Sequence, residues 1–284
     1  MLYSDFCRRP KNEAPEGLAL HGLASLPGAE YLGRRVLPEV QAPQPETTIA
    51  PVSPRPGATK PLIAALLTTI IVTALSYLAP AKHAATLVGL AFLAATWWLV
   101  LRGDEHTIRE HGLSLGGLLE PLAIDKRRLL RDAAMATLWV LLLAVIVFPP
   151  FWYGFKLFWH AKMPFVFRLP KSPLDEVAGQ LLVVALPEEA FFRGYLQTRL
   201  DAAWGRRVRF LGAELGAGWI VSAVIFAIGH WLTTPVPARL AVFFPALLFG
   251  WLRARTGGIG AGVLFHALCN MFSATLARGY GFPS

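Results

Sequence analysis

The chain has 284 residues, 55% of them in the apolar set AVILMFWYC and only 16% charged. A soluble domain carries about a quarter charged residues. With a mean hydropathy of +0.48 and several apolar runs of about twenty residues, the composition excludes an ordinary soluble globule and indicates a polytopic membrane protein. The excess of 27 Lys and Arg over 18 Asp and Glu suits the loops of such a protein. No basic run interleaved with aromatics supports nucleic-acid binding.

Residues 1–60 carry charges of both signs and then a run of prolines from Pro38 to Pro56. That composition predicts a flexible, Pro-rich N-terminal tail, with the membrane-embedded domain over 61–284. Within the tail, Leu18–Leu26 is interrupted by His21 and Gly22 and ended by Pro27. It does not read as a signal peptide, so targeting falls to the first membrane helix. The cysteines, Cys7 in the tail and Cys269 in an apolar helix, exclude a disulfide framework and any Cys-rich metal site.

The apolar runs then predict membrane helices near 62–78, 84–101, 133–155, 174–196, 215–231, 240–252 and 259–276. The expected fold is an all-α polytopic membrane helix bundle of about 7–8 transmembrane helices. Between the third and fourth, residues 156–171 alternate aromatic and basic side chains (Phe158, Trp159, Lys162, Phe165, Arg168), as an interfacial segment does. A full extra span there would reverse the C-terminus. Fifteen Lys and Arg flank the helix ends on the side of the N-terminus and seven flank the opposite ends. That bias puts the N-terminus in the cytoplasm. No internal repeat supports an inverted-repeat transporter.

Ionisable groups inside apolar helices are expensive, and each is a functional candidate. The fourth segment opens with Ser172 as N-cap and Pro173 at the first helical position, then runs apolar to Pro187-Glu188-Glu189. Pro187 predicts a kink or restart of the helix. Glu189 and Arg193 are one turn apart and can pair, whereas Glu188 lies about 100° round the helix and need not share that partner. A carboxylate without a cation in a low-dielectric setting is suited to general-base work. The alternative is that both glutamates are solvated at a helix end. Phe226 and His230 share a face of the fifth helix, where His230 beside Trp231 also suits an interfacial position. His266 and Asn270 share a face of the seventh, where both could simply bond a neighbouring helix.

Taken together, three helices present the groups that water attack on a peptide carbonyl needs, a base and oxyanion donors. Glu188 is the candidate base, and His266 and Asn270 are the candidate donors. The set Glu-Glu-x-x-x-Arg (188–193), Phe-x-x-x-His (226–230) and His-x-x-x-Asn (266–270), in this order, resembles the CPBP family of intramembrane proteases, also called the Abi or CAAX prenyl endopeptidase family. The resemblance extends over about residues 62–280 and leaves the tail outside. It implies an intramembrane endopeptidase acting on a membrane-anchored or lipidated protein near its C-terminus, with roles in maturation or sorting. It implies that Glu188 and His230 activate water, that His266 and Asn270 hold the oxyanion, and that Arg193 holds Glu189 to shape the pocket. The expected location is the inner (cytoplasmic) membrane of a bacterium.

Other signals carry less. Gly112-Leu-Ser114-Leu-Gly116 matches a serine-nucleophile pattern but lacks its strand–turn–helix setting. The glycines of 257–262 suit close helix packing better than a phosphate loop. No cofactor is expected. Zinc held by Glu188, His230 and His266 is the lesser alternative, because Asn270 beside His266 suits an oxyanion better than a ligand set. The competing function is a non-proteolytic membrane scaffold or peptide-toxin immunity protein using the same cavity.

Overall fold

The computed structural model describes residues 56–118 and 125–282; most of the expected tail and Cys7 fall outside the described residues. Eight helices and one β-hairpin make up the described chain. They are α1 (Thr59–Leu78), α2 (Ala81–Leu101), α3 (Glu105–Glu110), α4 (Lys126–Phe158), α5 (residues 173–204), α6 (Ala217–Thr233), α7 (Phe243–Thr256) and α8 (Gly260–Tyr280). Strands β1 (Arg206–Phe210) and β2 (Ala213–Gly216) pair antiparallel between α5 and α6. Four helices, α1, α2, α4 and α8, are long and apolar enough to cross a membrane. This is an all-α integral membrane protein.

The packing pattern is that of helices in lipid. Along α1 the inward stripe is Ala65, Thr68, Thr69 and Val72, while Ile63, Leu66, Leu67, Ile70 and Ile71 face outward. Helices in a bilayer gain nothing from hiding large apolar side chains from one another, so small and hydroxyl-bearing residues take the contact face. On α4, Ala136 and Val140 pack inward and Leu138, Leu141, Leu142, Val145 and Ile146 face out.

Every expected apolar segment forms a helix, with differences at the ends. The fifth begins two residues late because Leu215 and Gly216 belong to β2. The aromatic–basic stretch after α4 is not an extra span, since residues 161–172 form no helix. Instead it returns along the end of α8, where Val166 N–H donates to Gly279 O at 3.0 Å and Phe165 lies directly over Gly279. Ser172 does occupy the N-cap of α5 with Pro173 after it, but its side chain makes no capping bond.

Two clusters of contacts define the ends of the bundle. At one, Arg253 donates to Glu110 O, Ile259 N–H to Gly112 O, and Asp201 pairs with Arg206. This end gathers the start of α4, the end of α5, the hairpin, the end of α7 and the start of α8. At the other, Tyr77 Oη donates to Leu232 O and Trp152 Nε1 to Tyr280 Oη.

Candidate active site

Helix α5 departs from α-helical geometry twice, in wide π-type turns over Gly179–Ala185 and Ala190–Gln197, with a short α-helical turn at Leu186–Glu189 between them. Pro187 lacks an N–H and its ring crowds the carbonyl four residues earlier. The kink or restart expected from the sequence takes the form of a short α-helical turn at Pro187 flanked by widened backbone on both sides. Wide turns of this kind are frequent at functional sites.

The two adjacent glutamates have opposite surroundings. Glu189 is fully buried and its Oε1 accepts from Arg193 Nη1 and from His266 Nδ1, both at 3.0 Å. Arg193 is also sealed in. Its second Nη donates to Ala246 O at 3.1 Å, and its guanidinium lies 4.4 Å from the Phe226 ring centre and 5.2 Å from that of Phe249. Aromatic faces accept a desolvated guanidinium well, so this cation has a carboxylate, a carbonyl and π-faces as partners. Gly262 permits the closeness of α8, because a Cβ there would stand 3.0 Å from Glu189 Oε2.

Glu188 instead faces the two imidazoles. Its Oε2 lies 3.9 Å from His230 Nε2 and 3.8 Å from His266 Nε2, and it has no hydrogen-bond partner among the described residues. Access differs too: the side chain of Glu188 is 11% exposed and that of His230 23%, against 0% for Glu189 and 1% for Arg193. The opening is on the Glu188–His230 side.

Hydrogen bonding fixes the ring nitrogens. His230 Nδ1 lies 3.1 Å from Phe226 O. A carbonyl only accepts, so this nitrogen carries the proton and Nε2 presents its lone pair when the ring is neutral. His266 Nδ1 likewise donates to Glu189 Oε1, leaving its Nε2 toward Glu188. Ring contacts hold both: Phe226 lies 4.3 Å from His230, and Phe249 stacks on His266 at 4.7 Å.

Asn270, one turn beyond His266, donates through Nδ2 to Gln180 Oε1 at 2.9 Å. Gln180 is not one of the ionisable groups that mark the site in the sequence. Its signal was a lone amide in the apolar run of α5. Phe249 and the carbonyl of Ala246 were equally invisible, being ordinary in composition. Among the described residues no three of His, Cys, Asp or Glu are arranged to hold a metal ion, so the alternative set Glu188, His230 and His266 converges without meeting that arrangement.

Residues 170–272 match the family model described as Rce1-like, type II CAAX prenyl endopeptidase Rce1-like. Over this segment the chain resembles the CAAX prenyl endopeptidases. All three motifs, the wide turns of α5 and the hairpin lie inside the matched stretch, which agrees with the resemblance drawn from the motifs. No curated protein and no solved structure matches the chain.

Proposed function

We propose that the protein is an intramembrane endopeptidase that hydrolyses a peptide bond near the C-terminus of a membrane-anchored or lipidated protein. The observation that carries this reading is the unpartnered Glu188 Oε2 between two imidazole Nε2 atoms at 3.9 and 3.8 Å. Those separations exceed a direct hydrogen bond and suit a bridging water. Glu188 Oε2 and the lone pair of His230 Nε2 are both acceptors, so each takes a hydrogen from water and turns its oxygen lone pair toward a substrate carbonyl. As the C–O bond forms, the water proton passes to Glu188, which returns it to the leaving amine.

The oxyanion needs donors. Asn270 has a second N–H beyond the one given to Gln180. His266 donates from Nε2 only as imidazolium, because its Nδ1–H is committed to Glu189. The carboxylates of Glu188 and Glu189 on either side counter that charge. The Glu189–Arg193 pair acts one step back, fixing the His266 ring. No step calls for a metal or another cofactor. The site opens within the bilayer, with the hairpin end of the bundle on the cytoplasmic side, where basic residues concentrate. A bacterial inner membrane is the proposed setting.

The test compares membrane and released proteins from cells carrying wild type, Glu188→Gln or no protein. A juxtamembrane or C-terminal cleavage product that vanishes equally in the last two supports the reading. A Glu188→Gln protein with wild-type products and phenotype removes Glu188 as base and favours the scaffold or immunity alternative.

A further inference from the structure

The β1–β2 hairpin takes no part in the chemistry above, yet its side chains are sorted. Val208 stands opposite Leu215 and Phe210 opposite Ala213. Opposed residues share a face of the ribbon. On that face Leu215 and Ala213 are buried, while Val208 and Phe210 on the edge strand are 61% and 54% exposed. The turn adds Leu211, 69% exposed and held at φ 45° beside Gly212 at φ 79°. Positive φ at both central residues suits a tight hairpin, but leucine is an unfavourable residue there. The ribbon is rigidly mounted: Trp251 Nε1 donates to Phe210 O, and Gly212 lies against the Arg255 side chain.

Between the hairpin and the first turns of α6 runs a groove of about 590 Å3, lined by Trp204, Val208, Leu215, Trp219 and Ile220, with Arg207 as its one charged side chain. That size falls within the range of small-ligand sites, about 300–1,000 Å3. Trp219 gives its indole N–H to Leu247 O, so the ring offers the groove only its apolar surface. Arg207 is exposed and has no hydrogen bond or ion pair among the described residues, unlike Arg206, which pairs with Asp201 at 3.6 Å. The groove lies at the bundle end where α6 and α8 begin, and α8 is long and apolar enough to cross a membrane, so its end is where a headgroup layer would meet the chain. An apolar trough with a single free cation matches an amphiphile with an anionic head.

We propose that this groove seats an acyl chain of one anionic phospholipid whose headgroup phosphate pairs with Arg207. The hairpin is then an interfacial anchor as well as a connection, with Val208, Phe210 and Leu211 dipping into the bilayer. The site stands apart from the hydrolytic centre and does not depend on that reading.

The experiment uses the purified full chain in detergent, titrated with phosphatidylglycerol or with phosphatidylcholine of the same acyl chains, and counts bound lipid by native mass spectrometry. A basic residue at an anionic surface is worth about 1 kcal/mol, a factor of about five. Wild type is expected to retain phosphatidylglycerol at least fivefold better than phosphatidylcholine. Arg207→Ala should remove that preference, Arg207→Lys should keep it, and Ile220→Trp, which fills the trough, should weaken both lipids. Each variant is used after its melting midpoint matches wild type, and the lysine variant keeps the charge test valid should the alanine variant misfold. Equal retention of the two lipids by wild type, or phosphatidylglycerol binding indifferent to all three substitutions, overturns the proposal. So does displacement by glycerol 3-phosphate alone, which marks a phosphate site without a chain. Displacement by a farnesylated peptide in preference to free lipid would assign the groove to a lipidated polypeptide and overturn it as well.

Discussion

Gly89 on α2 and Pro187 on α5 meet at a single backbone oxygen. Pro187 has no N–H to offer Val183 O, four residues before it, and a Cβ on Gly89 would collide with that same oxygen while lying 3.6 Å from the Pro187 ring. The carbonyl freed by the proline therefore projects into space that only glycine leaves open. The turn that carries Glu188 rests on this contact.

Replacing Gly89 by alanine must push α2 away from α5 or return the carbonyl into the helix. Overpacking of this kind costs about 1–3 kcal/mol. The expected result is a melting midpoint lowered by about 5 °C, with activity falling as the Glu188 turn shifts. Gly179→Ala is the control: nothing lies within 4 Å of its added Cβ, and its midpoint should hold or rise slightly. Equal midpoints for the two variants would remove the steric account.

The adjacent glutamates should separate cleanly into chemistry and structure. Glu188 gives up no bond on conversion to glutamine, so Glu188→Gln is expected to keep the wild-type melting midpoint while losing about 100-fold or more of the cleavage rate. Glu189→Gln leaves Arg193, 1% exposed, without its carboxylate. Breaking a buried pair on one side costs about 3–5 kcal/mol. A sharp fall in midpoint or yield should therefore precede any measurable change in chemistry. A stable Glu189→Gln protein with full activity would show that the buried pair carries neither role.

How far these features could be read beforehand depends on what each rests on. The seven apolar runs were legible as helices, and α1, α2, α4 and α8 as membrane crossings, because a crossing demands about twenty apolar residues whatever the packing. Their ends were less so. Leu215 reads as the start of a helix, and only the register of β2 against Val208 makes it a strand residue. The hairpin was missed because five residues of the pattern Arg-Arg-Val-Arg-Phe look like a charged loop. Pro187 announced a distortion but not its form, since widening against Gly89 depends on a helix almost a hundred positions away. Gln180 escaped because an amide costs the bilayer less than a charge and raises no alarm in an apolar run.

Gln180 carries a prediction of its own. Its Oε1 accepts from Asn270 Nδ2 at 2.9 Å, which aims the amide and keeps its remaining N–H available. A hydrogen bond of this type is worth about 1 kcal/mol, so Gln180→Leu should lower kcat about fivefold with KM nearly unchanged. Asn270→Ala, which removes the donor itself, should cost about 100-fold or more. In the double variant the Gln180 effect should disappear, because there is no amide left to aim. Additive losses in that cycle would mean that Gln180 acts through something other than Asn270.

At the hairpin end, Asp201 gives a pH signature. Burial pushes its carboxyl up to about 6, against the opposing pull of Arg206 and Arg253. The unfolded carboxyl titrates near 3.8, so between those values the folded state holds a proton that the unfolded state has released. The stability this group contributes is complete below pH 3.8 and is lost as the pH rises through about 6. Asp201 Oδ1 is tucked against the backbone that opens α6, where a Cβ on Gly216 or Gly218 would approach it to 2.7 or 2.6 Å, so no larger side chain fits. Asparagine does fit, and it stays neutral throughout. Melting curves from pH 4 to 7.5 should show the wild-type midpoint falling across pH 4–6 more steeply than that of Asp201→Asn, the difference between the two curves levelling off above about pH 6.5. Parallel curves over the whole range would mean that Asp201 is already ionised at pH 4 and that its pairing with Arg206 outweighs burial.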